Sequence, residues 1–172
     1  MPSSRKKAIV RLTDRTCAAG YLEPAGFVRA GAIEMLDLGG KVQSLPLSAA
    51  KWVCFVRDFN SGDPLNPERL LHTSFSGRPR QAGLWLRLRL RDGEPLEGIA
   101  ANDITLLDPD GIFLTPPDTR SNTQRIFLPR LVIAELEVVS VIGGAAAARR
   151  KPPQSESARA QQALFDRSGS GD

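Results

Sequence analysis

The chain has 172 residues, 41% hydrophobic and 24% charged, with a formal net charge of +4 and a pI near 9.5. These values are those of a soluble globular protein of one domain or two very small ones, and no apolar run is long enough to cross a bilayer as a helix, so no membrane partner is expected. The polar start, Met1-Pro-Ser-Ser-Arg-Lys-Lys7, does not have the form of a signal peptide, and a cytoplasmic location is expected.

Residues 1–6 read as a disordered lead whose Arg5 and Lys6, with Lys7, solubilise the terminus. A first unit follows over 7–58. Ala8, Val10 and Leu12 alternate with Lys7, Ile9, Arg11 and Thr13, the period of a strand. After the Asp14-Arg15 turn, strands are expected through Gly20, over Ala32–Leu38 and over Val42–Leu45, with Gly39-Gly40 as a hairpin turn. Ser48-Ala-Ala50 predicts one short helical turn before the apolar strand Trp52-Val-Cys-Phe-Val56. Cys17 and Cys54 are expected as two reduced core thiols.

Residues 59–83 form a connecting segment rich in Pro and Gly, in which Pro67-Glu-Arg-Leu-Leu71 predicts a short helix. The second unit covers 84–143. Leu86, Leu88 and Leu90 alternate strictly with Arg87, Arg89 and Arg91, and Asp92-Gly93 is a strong hairpin signal. Strands are then expected through Gly98, over Ile104–Leu107, Ile112–Thr115 and Arg125–Leu128, with a polar loop at Pro116–Thr123. A helical turn at Arg130-Leu-Val132 precedes the last strand, Leu136–Val141. Residues 144–172 carry too little apolar surface to offset ordering entropy and are expected to be a disordered tail.

The two units share landmarks at constant spacing. Asp14 and Asp92, and Gly20 and Gly98, are each 78 residues apart, and Ser44-Leu-Pro46 answers Phe127-Leu-Pro129 at 83. Such spacing predicts a tandem repeat with five extra residues in the second copy. The order of strand, tight turn, Gly-bearing strand, Leu-Pro and short turn before an apolar strand resembles an Sm-like or SH3-like small barrel. The segments Lys51-Trp-Val-Cys-Phe-Val-Arg-Asp-Phe59 and Arg125-Ile-Phe-Leu128 are also similar to a bacterial tandem-repeat domain family of unknown function. The resemblance implies an all-β fold of two tandem small barrels and no activity, since such barrels host many unrelated functions.

The chain offers little for catalysis. His72 is its single histidine, the two cysteines lack zinc-ligand spacing, and Asp108 and Asp110 flank Pro109 in a turn signature. No catalytic residue, metal ligand or cofactor is therefore expected. Arg87, Arg89 and Arg91 form a stripe about 13 Å long at ~3.3 Å per residue, a candidate phosphate-binding face. The competing expectation is a solvated face paired with carboxylates such as Glu97 on a neighbouring strand. In the tail, Gln161-Gln-Ala-Leu-Phe165 resembles the bacterial sliding-clamp-binding peptide, with Gln161, Leu164 and Phe165 as anchors. The sequence thus points to a non-enzymatic binding or adaptor protein. The alternatives are a nucleic-acid-associated protein using the arginine stripe and a clamp-associated protein using the tail.

Overall fold

The computed structural model describes residues 4–118 and 120–143. The first half holds β1 (Lys6–Leu12), β2 (Cys17–Leu22), a two-residue β3 (Val28–Arg29), β4 (Ala32–Asp37), β5 (Val42–Pro46) and β6 (Ala50–Val56). The second holds β7 (Gly83–Leu90), β8 (Pro95–Ala100), β9 (Gly111–Leu114), β10 (Thr123–Pro129) and β11 (Ile133–Ile142). The fold is all-β. The turns expected before β6 and β11 are 3₁₀ turns at Leu47–Ala49 and Arg130–Val132.

Two local expectations are corrected. Ile104–Leu107 is a 3₁₀ turn and not a strand, because the Asp103 carboxylate accepts from the Thr105 N–H at 2.9 Å and caps it. Residues 67–71 form no helix. A single turn closes there, Arg69 N–H to Asn66 carbonyl at 2.9 Å, and Glu68 is drawn into the core.

One sheet runs β3-β4-β2-β1-β6-β10-β9, with β5 added on β4, and a second runs β11-β7-β8. Neither closes on itself into a barrel, and the two halves do not stand as separate barrels. They share the larger sheet, because β6 pairs antiparallel with β10 through Val53–Phe127, Cys54–Ile126 and Phe55–Arg125. Within the first half, β1 pairs with β2 and β6. Within the second, β7 pairs with β8 and β11. Thr13 N–H donates to the Ala49 carbonyl and Arg91 N–H to the Val132 carbonyl, both at 2.9 Å.

The shared pairing follows from which faces are apolar. Alternate residues of β1, β6 and β10 enter two different cores. Ala8, Val10, Val53, Phe55 and Phe127 face one, with Ile33 and Met35 of β4. Ile9, Trp52, Cys54, Val56, Ile126 and Leu128 face the other, with Leu86, Leu88 and Leu90 of β7. These three strands are a wall between two cores, so both of their faces must be covered. Ile9, which alternates with Ala8 and Val10, is therefore fully buried as they are, while Leu12 is half-buried. β7 has water on one side, and Leu86, Leu88 and Leu90 are buried while Arg87 and Arg89 are exposed.

A glycine lies at a close approach in both β2 and β8, and the space is tighter in β2. A Cβ on Gly20 would collide with the Leu36 carbonyl oxygen and lie 2.8 Å from Met35 Cγ. One on Gly98 would lie 3.0 Å from Leu114 Cβ and 3.1 Å from the Thr115 carbonyl oxygen. The Asp92-Gly93 turn closes with Leu90 N–H on the Glu94 carbonyl at 2.9 Å. Its counterpart in the first half places Arg15 at φ +74°, a left-handed conformation that carries strain for a side chain with a Cβ.

Two buried glutamates clasp the irregular connection between the halves. Glu68 accepts from Arg11 Nε and Nη2, each at 2.7 Å, and from Trp52 Nε1 at 3.4 Å. Its backbone carbonyl accepts from the Thr123 hydroxyl. Glu97 accepts from Phe75 N–H at 3.0 Å, Trp85 Nε1 at 3.1 Å and Arg87 Nε at 3.0 Å.

Candidate anion-binding groove

The ladder brings cations from three chain-distant segments to one end of the wall. β6 runs antiparallel to both β1 and β10, so the start of β1, the end of β6 and the start of β10 lie together. Phe55 is opposite both Ala8 and Arg125. Lys6 and Lys7 open β1, Arg57 follows β6, and Arg125 sits just past an irregularity in β10. Tyr21 of β2 is the ladder partner of Lys7.

These residues line a groove of about 750 Å³ together with Arg5, Phe55 and Val56. No acidic residue lines it among those described. Asp58 lies beside it, 3.5 Å from the half-buried Lys7 ammonium, with the Asp58 side chain largely in water.

Arg125 is held differently from the other described arginines of the sheets. Its guanidinium lies 4.1 Å from the centre of the Phe113 ring. Phe113 in turn packs on Phe127, Phe27 and Phe55, with ring centres 5.1 to 6.2 Å apart, so the platform under the cation is rigid. Arg125 forms no ion pair with a described carboxylate. Burial pulls its pKa below the ordinary arginine value, and Asp103 offsets part of that from a distance. A planar cation stacked on an aromatic ring keeps its in-plane N–H donors for a ligand. In this groove those donors suit a phosphate or carboxylate oxygen.

The arginine stripe is placed as expected on the outer face of β7, but with neighbours of opposite charge. Arg87 lies 3.0 Å from Glu97 of β8 and 3.1 Å from Glu137 of β11, and Arg89 lies 3.5 Å from Glu135 of β11. Arg91 is exposed just after the strand. Gln161, Leu164 and Phe165 lie outside the described residues.

His72 is exposed in the connection. Asp110 N–H donates to the Asp108 carboxylate at 2.9 Å, which makes that pair a turn. Cys54 is buried, and burial pushes its thiol pKa up, which disfavours the reactive thiolate. Cys17 is exposed at the start of β2, a correction to its expected place in the core. No group of three His, Cys, Asp or Glu side chains among the described residues is placed to hold a metal ion. No described helix is long and apolar enough to cross a membrane.

Sequence reading missed the groove. Arg5, Lys6 and Lys7 read as a solubilising end, and Arg57 and Arg125 are single charges in unrelated segments. Only the β1–β6–β10 register assembles them.

Residues 4–140 match the model of a family of unknown function (DUF6982). No curated protein and no solved structure matches the chain.

Proposed function

The chain belongs to that family of unknown function, and we propose that it is a non-enzymatic, cytoplasmic binding module that holds a polyanion in the groove at the head of β1, β6 and β10. The observation that carries this reading is Arg125, stacked on Phe113 without an ion pair among the described residues, in a groove lined by four further cations. Arg125 is exposed, so its guanidinium meets an incoming anion at the surface with no described carboxylate paired to it that must first be displaced. The Arg87–Arg89 face offers less, because Glu97, Glu135 and Glu137 already occupy its donors.

The framework in this reading is a duplicated unit, two Sm-like or SH3-like halves fused edge to edge. Supporting it, each half pairs its last strand with its first. The Leu12–Thr16 and Leu90–Glu94 turn bonds recur at the spacing of 78 that separates Asp14 from Asp92. The 3₁₀ turn at Arg130–Val132 likewise follows Leu128-Pro129 as the one at Leu47–Ala49 follows Leu45-Pro46.

The test is fluorescence anisotropy of a labelled inorganic polyphosphate chain titrated with the full chain at increasing salt. Binding is expected at low salt and should weaken steeply as salt rises. Joint Arg57→Gln and Arg125→Gln substitution should flatten the slope of log affinity against log salt by about two, one for each cation removed. Absence of binding at low salt, or an unchanged slope in the double variant, overturns the reading.

A further inference from the structure

We infer that the polyanion is single-stranded nucleic acid, with one base stacked on Tyr21 and its flanking phosphates on Arg57, Arg125 and the Lys6–Lys7 head of β1. This inference rests on the reading of the groove as a polyanion site and names its ligand. Tyr21 is half-buried and lines the same groove as the cations. Its ring is fixed in advance by Phe59, with ring centres 5.4 Å apart and planes at 89°. The Phe59 ring also lies beneath the Lys7 ammonium, 5.6 Å from it. Aromatic and cationic groups thus alternate over a short distance.

That combination separates nucleic acid from other polyanions. Polyphosphate and acidic peptides need only cations, whereas a base has a π-face that stacks on an aromatic ring regardless of sequence. The groove's shape favours a single strand. It is an open concavity of about 750 Å³, wide to solvent along its length. A splayed base enters such a site, whereas in a duplex both faces of each base are covered by its stacked neighbours. Arg125 adds a fixed planar fork that matches two phosphate oxygens.

The experiment measures affinities of the full chain for three probes. They are a labelled single strand of about 12 nucleotides, the same strand annealed to its complement, and labelled polyphosphate, with polyglutamate as competitor. The single strand should bind more tightly than the duplex, and polyglutamate should displace it poorly. Tyr21→Ala should weaken single-strand binding about ten-fold and leave polyphosphate affinity within about two-fold, the loss expected for one stacked base. Tyr21→Phe should bind like the original chain. Tyr21→Leu keeps bulk against Phe59 but has no π-face, so it should reproduce the Tyr21→Ala loss even if the alanine variant fails to fold. Equal binding of duplex, effective competition by polyglutamate, or equal effects of Tyr21→Leu on strand and polyphosphate overturn the inference. Polyphosphate binding that survives any of these results leaves the groove as a general polyanion site. Failure of polyphosphate itself to bind removes the underlying reading.

Discussion

Arg11 of β1 and Glu68 of the connecting segment meet in a two-pronged ion pair, Nε and Nη2 each 2.7 Å from a carboxylate oxygen, across 57 residues of chain. Both side chains are almost wholly removed from water. The Glu68 hydrogen bond and charge hold the guanidinium more firmly protonated than an ordinary arginine. This pair fastens the connection to the wall between the two cores. Removing one partner leaves the other charge buried and uncompensated. Glu68→Ala is therefore expected to cost about 3–5 kcal/mol. A double replacement, Arg11→Met with Glu68→Leu, should recover most of that loss, since it removes both charges and keeps apolar volume. Urea denaturation of the three proteins checks this, and a double variant as unstable as Glu68→Ala would contradict it.

Gly20 of β2 and Gly98 of β8 differ in how much room they have. At Gly20 the obstacle is a backbone carbonyl, which cannot move without shifting β4. At Gly98 the nearest atoms stand 3.0 and 3.1 Å away and a small displacement admits a methyl group. Gly20→Ala should destabilise the fold beyond the ~1–3 kcal/mol usual for overpacking, and Gly98→Ala should fall within it. Thermal or chemical denaturation of the two variants gives the order, and a larger loss at Gly98 would contradict it.

What could be read from the sequence depended on how many faces of a strand meet water. β7 has one wet face, so its Leu and Arg residues alternate and its burial was legible residue by residue. β6 has none. Its run Trp52-Val-Cys-Phe-Val56 identifies a strand but does not reveal that alternate side chains enter different cores. The sharing of one sheet by the two halves was hidden for the same reason, because it depends on the partner of β6 and not on its composition. Ile104–Leu107 has strand-like residues, yet the Asp103 cap decides in favour of a 3₁₀ turn. The groove is a product of register: Lys7, Arg57 and Arg125 carry no mutual signal along the chain.

Acid should unfold this protein partly through Glu97. Burial pushes its carboxyl pKa up, but the bonds from Phe75 N–H, Arg87 and Trp85 outweigh that and hold it below the ordinary value. A carboxylate depressed on folding contributes stability that is complete above its unfolded value, near 4.3, and lost as pH falls through the lower folded value. Asp92, paired with Lys51 at 2.6 Å and likewise depressed, adds to the same slope. Denaturation midpoints measured from about pH 7 to about pH 2 should show stability falling across the acid range, and Glu97→Gln should flatten that fall. The variant should also be weaker at neutral pH, where it lacks the charge-assisted bonds to Arg87 and Phe75. Identical acid slopes in the two proteins would show that Glu97 is not a source of the linkage.

The two basic faces make opposite predictions for salt dependence. On β7 the Arg87 charge is matched by Glu97 and Glu137, and Arg89 by Glu135. A polyanion arriving there would have to displace those carboxylates and would meet their repulsion, so few counterions are released through that face. At the groove Arg125 has no such competitor among the described residues, and its stacking on Phe113 fixes it before the ligand arrives. Arg87→Gln with Arg89→Gln should therefore leave the salt slope of polyphosphate binding nearly unchanged, although it lowers stability by loosening the Glu97 clasp. Arg125→Gln alone should reduce the slope by about one. Anisotropy titrations of the two variants at several salt concentrations, on samples first shown to be folded by tryptophan fluorescence, separate the cases. A flattened slope in the β7 variant with an unchanged slope in Arg125→Gln would transfer the binding face from the groove to the stripe.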